Sequence, residues 1–298
     1  MEKPYVLHFI TPAKNVSPFD VNMAYDAGYD AVAPYTHVQL SEVKGLVQDA
    51  IFSRGPRGVW RTGMLIGGRD IDLAMDMLET AKASMVPPFE ISVLADPSGA
   101  FSTSGAMVAL VERQLKRSFG LDLAGRKISV FGATGPVGGC AAVIAARSGA
   151  TVELVAHRSL ADVRTRAEAL NMRFGTDIGH VDGSSDDLKK QILHATDVAL
   201  CCAAAGARVI TLAQMAGSPA LKVVADVNAV PPSGAEGVDA MADGTPVAGT
   251  GAVGLGALAI GNIKYQVQQN LLRRMLDGQR HVYLDFLSAF EMAREDLA

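Results

Sequence analysis

Short runs of β-branched and apolar residues alternate with longer helical stretches along almost the whole chain. In its first part, strands are predicted at residues 5–10, 31–33, 64–66 and 91–95, and helices at 41–52, 70–84 and 102–118. A further helix is expected after Ser17, because Ser17 can cap it, Pro18 suits its first position and Asp20 suits the positive end of its dipole. The alternation predicts a parallel sheet covered by helices in residues 1–121.

The same alternation continues in a second part, residues 122–281. Strands are predicted there at 127–131, 151–156, 198–203 and 222–226, and a long helix at 258–278. The amphipathic tail, residues 282–298, is expected to pack back on the first domain. We interpret the small-residue stretch 248–261 as a functional loop. The pattern therefore predicts an α/β protein of two domains with a cleft between them.

Composition and charge argue against several classes of protein. Hydrophobic residues make up 49% of the 298 residues and charged residues 19%, which is typical of a globular protein with a large core. The formal net charge of −4, without a basic run, argues against nucleic acid and anionic membranes as partners. No apolar stretch reaches the roughly 20 residues of a membrane span, and no signal peptide is visible. With only three cysteines, two of them adjacent, we expect a cytoplasmic protein with reduced thiols.

A glycine-containing stretch marks the start of the second domain. It comprises Gly132, Ala133, Thr134, Gly135, Pro136, Val137 and Gly138. It follows an apolar strand and opens a helix, so the backbone can approach a pyrophosphate and the helix N-terminus offers free N–H groups. The spacing departs from G-x-G-x-x-G, since Ala133 takes one glycine position, and a purely structural turn is the alternative. We predict a Rossmann-like NAD(P)-binding domain in which this stretch contacts the coenzyme.

The residues after the second strand of this domain bear on the choice of coenzyme. They are His157, Arg158 and Ser159. An NAD-selective site usually places an acid here for the ribose 2′-hydroxyl, and none is present. Arg158 and Ser159 can instead hold a 2′-phosphate, so we expect NADP to bind at least as well as NAD. The alternative is that Arg158 is a solvated surface charge.

Loops after the first-domain strands carry candidate substrate-binding residues, because ligands bind at the carboxyl ends of parallel strands. These candidates are Thr11, Asp20, Asp96, Gly99, Ser102 and Thr103. Such polar loops can hold a flat heterocycle with several hydrogen-bond donors, and the Asp20 carboxylate can pair with the amino and ring N–H groups of a pterin. The alternative for Asp20 is that it only stabilises its helix N-terminus.

Two segments of the second domain carry further candidates. Asp226 and Asn228 end a strand before a diproline that fixes the loop backbone, and Asn228 is expected to meet the nicotinamide carboxamide. Lys264 closely follows the small-residue stretch, so it is a site candidate, with a surface charge as the alternative. No Tyr precedes a Lys by four residues, and neither H-E-x-x-H nor G-x-S-x-G occurs. The six histidines are scattered, so no metal site is expected.

Segments distributed over nearly the whole chain resemble a known family. They are SPFDVN at 17–22, IFSR at 51–54, IGG at 66–68, ADP at 95–97, TGPVG at 134–138, DVNAVPP at 226–232 and GALAIGNIKY at 256–265. On these segments the chain resembles the methylene-tetrahydromethanopterin dehydrogenases of methylotrophic bacteria, especially those that accept both NAD and NADP.

The resemblance implies the reaction, the ligands and two catalytic residues. The methylene carrier would be oxidised to the methenyl carrier with NADP or NAD, a step of formaldehyde oxidation, and the pterin would lie in the cleft facing the nicotinamide. Lys264 matches the active-site lysine of relatives, and Asp20 matches a residue of their pterin pocket, so both are catalytic candidates. A homo-oligomer such as a trimer is also implied. Ala133 replaces a glycine of the NADP-only relative, which leaves coenzyme preference open.

The chemistry itself needs little from acid–base residues. The methylene carbon sits between two nitrogens that share the charge left by hydride loss, so positioning and exclusion of water suffice. Hydrolysis of the methenyl carrier would need a group that activates water, and since none stands out, we expect no cyclohydrolase activity. Two alternatives stay open: a methylenetetrahydrofolate dehydrogenase, whose carrier differs in the tail, and a non-catalytic NADP-binding redox sensor.

Overall fold

The structure is a computed structural model that describes residues 3–278 and 280–298. The described residues form two compact units: unit 1 lies within Met1–Ser102 and Tyr265–Met292, and unit 2 comprises Thr103–Lys264 and Ala293–Ala298. The expected boundary is position 121, whereas these units divide after Ser102, inside a helix that runs from Ala100 to Gln114. Residues 265–281, expected in the second domain, fall in unit 1, and the boundary before Tyr265 lies inside a second long helix, Ala257–Arg274.

The elements alternate between strands and helices. The strands are β1 (Val6–Ile10), β2 (Ala31–Tyr35), β3 (Thr62–Ile66), β4 (Ser92–Ala95), β5 (Lys127–Phe131), β6 (Thr151–Ala156), β7 (Gly179–Asp182), β8 (Val198–Cys201), β9 (Val223–Asp226), β10 (Asp243–Pro246), β11 (Val253–Leu255) and β12 (Tyr283–Leu284). The helices are α1 (Pro18–Ala27), α2 (Val43–Phe52), α3 (Gly55–Gly58), α4 (Ile71–Ala83), α5 (Ala100–Gln114), α6 (Pro136–Arg147), α7 (Leu160–Phe174), α8 (Asp186–His194), α9 (Leu212–Met215), α10 (Ala257–Arg274) and α11 (Phe286–Leu297). None of the helices described is long and apolar enough to cross a membrane.

The sheet of unit 1 is parallel throughout, with the strand order β12-β4-β3-β1-β2. Val6 on β1 lies opposite Ala31 on β2. The sequence pattern predicts four of these strands but not β12, which is two residues long and too short to show a period. Helix α1 begins at Pro18, and Ser17 Oγ accepts a hydrogen bond from the Asp20 N–H at 3.3 Å, which confirms the predicted cap.

The sheet of unit 2 has the order β10-β11-β9-β8-β5-β6-β7, in which the edge strand β10 is antiparallel to its neighbour. Its six parallel strands have the doubly wound order of a Rossmann fold, and the direction of winding reverses between β5 and β8. Ligands bind at such a switch point, beyond the carboxyl ends of the strands. Strands β7, β10 and β11 escape prediction because their sequences, GHVD, DGTP and VGL, contain no apolar run like those of the buried strands β8 and β9.

The stretch 248–261 is not the continuous loop that its small residues suggest. It contains β11, and α10 begins within it at Ala257. A Cβ at Gly256 would lie 2.0 Å from the Asp239 carbonyl oxygen, so glycine is needed there for close packing of the backbone. The small residues therefore reflect how tightly the strand and the helix start pack within unit 2.

All three cysteines are core residues of unit 2. Cys140, Cys201 and Cys202 are buried, and none of them forms a disulfide bond. Burial raises the pKa of the Cys202 thiol to about 12, with a smaller contribution from the Asp226 charge. The thiol is therefore protonated at neutral pH, as expected of an inert buried cysteine.

Candidate functional site

The carboxyl ends of β1, β2 and β3 are tied together by backbone hydrogen bonds. The Thr11 N–H donates to the Tyr35 carbonyl oxygen at 2.9 Å, and the Gly67 N–H donates to the Ile10 carbonyl oxygen at 2.9 Å. Thr11 is buried, and its Oγ1 accepts a hydrogen bond from the Ala13 N–H at 3.2 Å. The structure thus places Thr11 at this edge of the sheet, where its hydroxyl stabilises the turn after β1.

Two residues at the same edge adopt the left-handed backbone conformation that non-glycine residues rarely adopt. His37 follows β2 with a φ of 57°, and Ser98 follows β4 with a φ of 53°. The Ser98 Oγ donates to the Gly68 carbonyl oxygen at 2.7 Å, and Gly99 continues the turn with a φ of 67°. Such conformations cost on the order of 1–3 kcal/mol and cluster at ligand sites, so they mark this edge as a candidate site.

Asp96 and Ser102 are engaged with each other at the start of α5. Asp96 Oδ1 accepts hydrogen bonds from the N–H groups of Phe101 and Ser102 at 2.9 and 3.1 Å, and Oδ2 accepts one from the Ser102 Oγ at 2.6 Å. Both residues are buried. These hydrogen bonds cap the start of α5 and hold the loop after β4, and the expected contact of both residues with substrate stays a prediction. Thr103, half-buried, is the next residue of α5 and the first of unit 2.

Asp20 does more than stabilise the first turn of α1. It is 4% exposed, and its Oδ1 accepts a hydrogen bond from Gln268 Nε2 at 2.7 Å. Gln268 is completely buried and lies on α10, 248 residues away along the chain. The amide donor is neutral, so this hydrogen bond adds no positive charge of its own beside the carboxylate. The carboxylate therefore suits a ligand that offers N–H donors.

Two exposed aromatic residues are close in sequence to the two residues of this hydrogen bond. Phe19 precedes Asp20, and its ring meets the ring of Tyr265 edge to face, with 6.3 Å between the centroids. Phe19 is 47% exposed and Tyr265 is 44% exposed, so both offer apolar ring surface to solvent. Lys264 is half-buried and precedes Gln268 by four residues on α10, which places the two on the same face of that helix.

The turn after β5 requires glycine at its first position. Gly132 has a φ of +78°, and a Cβ there would lie 2.5 Å from the Ala203 nitrogen and 2.6 Å from the Cys202 carbonyl carbon. Those backbone atoms belong to the loop after β8, so the turns after β5 and β8 meet at the switch point of the sheet. The Gly135 N–H donates back to the Gly132 carbonyl oxygen at 3.1 Å and closes the turn.

Helix α6 begins directly after this turn. Its N-cap is Gly135, which has no side chain to accept the first N–H groups, and Pro136 occupies the first helical position. A Cβ at Gly138 would lie 2.8 Å from the Gly132 carbonyl oxygen, so the helix starts close against the turn. The other residues of the stretch are the buried Ala133, the exposed Thr134 and the half-buried Val137. This arrangement fits a pyrophosphate, which free N–H groups and the helix dipole attract.

The three residues after β6 differ in exposure and in whether the side chain is already hydrogen-bonded within the protein. His157 and Arg158 are exposed, and Arg158 has no hydrogen-bond or ion-pair partner within the described part of the chain. Ser159 caps α7, because its Oγ accepts a hydrogen bond from the Asp162 N–H at 3.1 Å. Arg158 can therefore reach an anionic ligand without breaking an interaction, and its guanidinium group is always positively charged.

Asp226 and Asn228 hold the loop after β9. Asp226 accepts hydrogen bonds from the N–H groups of Asn228 and Ala235, each at 3.0 Å. Burial raises the pKa of the Asp226 carboxyl, and the backbone N–H groups oppose that rise. Asn228 Oδ1 accepts from the Gly206 N–H at 3.1 Å, and its Nδ2 donates to the Pro232 carbonyl oxygen at 2.9 Å. Asn228 thus braces the loops after β8 and β9, and its expected contact with the nicotinamide carboxamide stays a prediction.

Similarity to known proteins extends over almost the whole chain. The family described as methylene-tetrahydromethanopterin dehydrogenase, N-terminal, matches residues 18–98. The NAD(P)-dependent methylenetetrahydromethanopterin dehydrogenase of Methylorubrum extorquens is 46% identical over 290 residues, which cover 97% of this chain and 98% of that protein. The chain belongs to this dehydrogenase family. The bifunctional protein MdtA of the same organism is 29% identical over 295 residues, with 99% of each chain covered.

Solved structures share the fold of this methylene-tetrahydromethanopterin dehydrogenase family member. Shikimate 5-dehydrogenase from Listeria monocytogenes, solved with shikimate and NAD, has a TM-score of 0.50 at 15% identity, over 99% of this chain and 96% of that chain. Ligand-free 5-ketofructose reductase of a Gluconobacter strain has a TM-score of 0.50 at 15% identity, over 99% of both chains. At such identities the likeness shows the fold alone, which agrees with the predicted α/β class.

The dehydrogenase family member also has a buried residue at its candidate site that sequence reasoning missed. Gln268 carries no signal by itself, because an amide in an amphipathic helix is usually a solvated or core residue. Its spacing of four residues from Lys264 was the available indication. In the described ranges, no group of three or more His, Cys, Asp or Glu side chains is arranged to hold a metal ion.

Proposed function

We propose that this chain oxidises methylene-tetrahydromethanopterin to methenyl-tetrahydromethanopterin by direct hydride transfer to NAD(P)⁺, in the one-carbon metabolism that oxidises formaldehyde. The observation that carries the proposal is the similarity, over 97% of the chain, to a dehydrogenase of that name. The turn at Gly132 supports a dinucleotide site, and the buried Asp20 carboxylate supports a site for a ligand with N–H donors.

The reaction removes a hydride from a carbon flanked by two nitrogens. The C–H bond of the methylene bridge breaks with both of its electrons, and the positive charge left on the carbon is shared by the neighbouring nitrogens. No proton is abstracted, so no general base is required. The protein contributes by holding donor and acceptor in a reactive geometry and by excluding water.

Residues of unit 2 bind the coenzyme in this proposal. The N–H groups of Val137 and Gly138 at the start of α6 bind the pyrophosphate, and Gly132 lets the backbone approach it. Arg158 binds the 2′-phosphate of NADP. The bound coenzyme supplies the hydride acceptor.

Residues near the start of α1 bind the carrier. Asp20 accepts hydrogen bonds from the amino and ring N–H groups of the pterin. Phe19 and Tyr265 pack against its flat ring system. Lys264 orients the carrier by donating a hydrogen bond, and as a cation it lies away from the carbon that becomes positively charged.

Replacing Arg158 with Ala is expected to lower kcat/KM for NADP⁺ by about 10- to 100-fold and to change kcat/KM for NAD⁺ less than about twofold, because only NADP carries the 2′-phosphate. Steady-state kinetics with each coenzyme at saturating carrier measure this. Arg164→Ala is the matched control, since Arg164 is an exposed residue of the neighbouring helix α7. Equal losses with both coenzymes would contradict the assignment.

Replacing Lys264 with Ala is expected to lower kcat/KM for the methylene carrier at least tenfold while leaving the Kd of NAD(P)⁺ unchanged, because the lysine acts on the carrier. Kinetics in the carrier and coenzyme titration by fluorescence separate the two effects. Arg273→Ala, an exposed cation on the same helix, is the control and should match the wild type. Unchanged carrier efficiency in Lys264→Ala would remove Lys264 from the site.

An absorbance assay for NAD(P)H formation tests the proposed function directly. Methylene-tetrahydromethanopterin and methylene-tetrahydrofolate are each supplied with either coenzyme. Higher efficiency with the folate carrier would favour a methylenetetrahydrofolate dehydrogenase. Intact coenzyme binding without carrier-dependent NAD(P)H formation would favour a non-catalytic redox sensor.

A homo-oligomer, for which a trimer is the first hypothesis, and a cytoplasmic location belong to the same proposal. The burial of all three cysteines as thiols fits a reducing compartment. Sedimentation equilibrium measures the subunit number.

A further inference from the structure

A neutral amide holds the carboxylate that we assign to carrier binding. Gln268 Nε2 donates to Asp20 Oδ1 at 2.7 Å, a short distance for an N–H···O hydrogen bond. Asp20 is 4% exposed and Gln268 is 0% exposed, so bulk water does not compete for this interaction. The bond joins α1 to α10 within unit 1.

The chemical nature of this donor matters for what Asp20 can bind. A lysine or arginine in its place would pair with the carboxylate and neutralise the charge that N–H donors of a ligand need. An apolar residue would leave the buried carboxylate without this donor, at a high desolvation cost. A glutamine donates a hydrogen bond that restricts rotation of the carboxylate about its Cβ–Cγ bond, and it brings no positive charge of its own.

We propose that Gln268 is a positioning residue for the hydride-transfer reaction: it orients the Asp20 carboxylate toward the N–H donors of the pterin. Gln268 lies on α10 one turn after Lys264. The same helix therefore carries the lysine that orients the carrier and the amide that orients the Asp20 carboxylate. The inference rests on the proposed function, and it adds a residue that does not itself touch the carrier.

Gln269 offers a matched control within the same turn of α10. It is 5% exposed, and neither its Nε2 nor its Oε1 has a hydrogen-bond partner in the described part of the chain. Removing this amide deletes the same chemical group at similar burial without breaking a hydrogen bond. Gln269→Met is therefore expected to keep wild-type carrier kinetics, and its thermal midpoint should be equal or higher because an unpaired buried amide is removed.

The test compares Gln268→Met with Gln269→Met, using methionine because it is close to glutamine in length and volume. We expect Gln268→Met to lower kcat/KM for methylene-tetrahydromethanopterin by about 10- to 100-fold, mainly through a higher KM, with the Kd of NAD(P)⁺ unchanged. In an Asp20→Asn background, adding Gln268→Met should lower kcat/KM less than about threefold, because the two residues act as one unit.

Specific outcomes would overturn the inference. These are a carrier kcat/KM for Gln268→Met within twofold of wild type, an equal loss in Gln269→Met, a parallel loss of coenzyme affinity, or a full additional loss in the Asp20→Asn background. If Gln268→Met does not fold, Gln268→Asn serves instead, since it keeps an amide but shortens it by one methylene, and it should raise the carrier KM. Wild-type enzyme without carrier-dependent NAD(P)H formation would refute the proposed function itself, so the two failures are distinguishable.

Discussion

Replacing Asp20 with Asn is expected to lower kcat/KM for methylene-tetrahydromethanopterin by about 100-fold, because hydrogen bonds to a charged group contribute about 1.5–3 kcal/mol. The substitution keeps the size of the side chain and leaves an oxygen to which Gln268 can donate. It removes the negative charge and the capacity to accept from two pterin N–H groups. The loss should appear mainly in KM, since a ground-state contact is removed.

Steady-state kinetics in the carrier and titration with NAD(P)⁺ check this prediction together. Asp26→Asn is the matched control, because Asp26 lies on the same helix α1 but is exposed. It should leave both parameters within twofold of wild type. If Asp20→Asn keeps carrier efficiency within threefold of wild type, Asp20 is only a helix-stabilising residue and the carrier site must be sought elsewhere.

Replacing Gly132 with Ala is expected to lower the free energy of unfolding of unit 2 by about 3 kcal/mol. A left-handed conformation costs a non-glycine residue roughly 1–2 kcal/mol, and overpacking adds about 1–3 kcal/mol. The new Cβ would lie 2.5 Å from the Ala203 nitrogen, and backbone atoms cannot turn aside as a flexible side chain can. The turn must therefore shift, and NAD(P)⁺ affinity should fall at least tenfold.

Thermal unfolding and coenzyme titration measure the two parts of this prediction. Gly45→Ala in α2 is the control, since a Cβ there meets no atom within 4 Å. That substitution should leave coenzyme affinity unchanged and the thermal midpoint equal or slightly higher, because alanine favours helix more than glycine does. Wild-type coenzyme affinity in Gly132→Ala would show that the turn is only structural.

The two sets of substitutions should separate in their readouts. Asp20, Lys264 and Gln268 are expected to act on the carrier, whereas Gly132 and Arg158 are expected to act on the coenzyme. A variant of a carrier residue that changes only the affinity for coenzyme, or a variant of a coenzyme residue that changes only the KM for the carrier, would contradict this division of roles. Carrier and coenzyme titrations on the same preparations therefore test the whole proposal and not one residue at a time.

Local patterns were enough to predict the class of fold and most of its elements. A parallel strand buried on both faces is an apolar run, and the helix between two such strands has its own amphipathic period and cap. Ser17 before Pro18 is an example, because the cap depends on residues close in sequence. Strand β12 was missed because its two residues are too few to show a pattern of their own. What defines it is its pairing with β4, next to which the Val282 N–H donates to Ser92 Oγ across 190 residues of chain.

The candidate site also has a part that local sequence predicts and a part that depends on long-range contacts. The glycine turn after β5 could be predicted, because a strand, a turn and a helix follow one another directly in the chain. Asp96 and Asn228 were correctly placed after the ends of strands, whereas Ser102 lies in the first turn of α5, and the hydrogen-bond partners of all three could not be inferred. Which polar group a loop residue binds depends on where the backbone returns, and backbone N–H groups near it compete with any ligand.

By itself, the sequence determined the two α/β sheets, the glycine turn after β5 and the family to which the chain belongs. Those features can be inferred from neighbouring residues or from motifs, without knowledge of long-range contacts. Only the tertiary structure decided that Asp226 and Asn228 brace a loop and that Gln268 holds Asp20 across 248 residues of chain. The physical reason is that a buried polar group must find a partner, and folding, not proximity in sequence, determines which groups are near enough to be that partner.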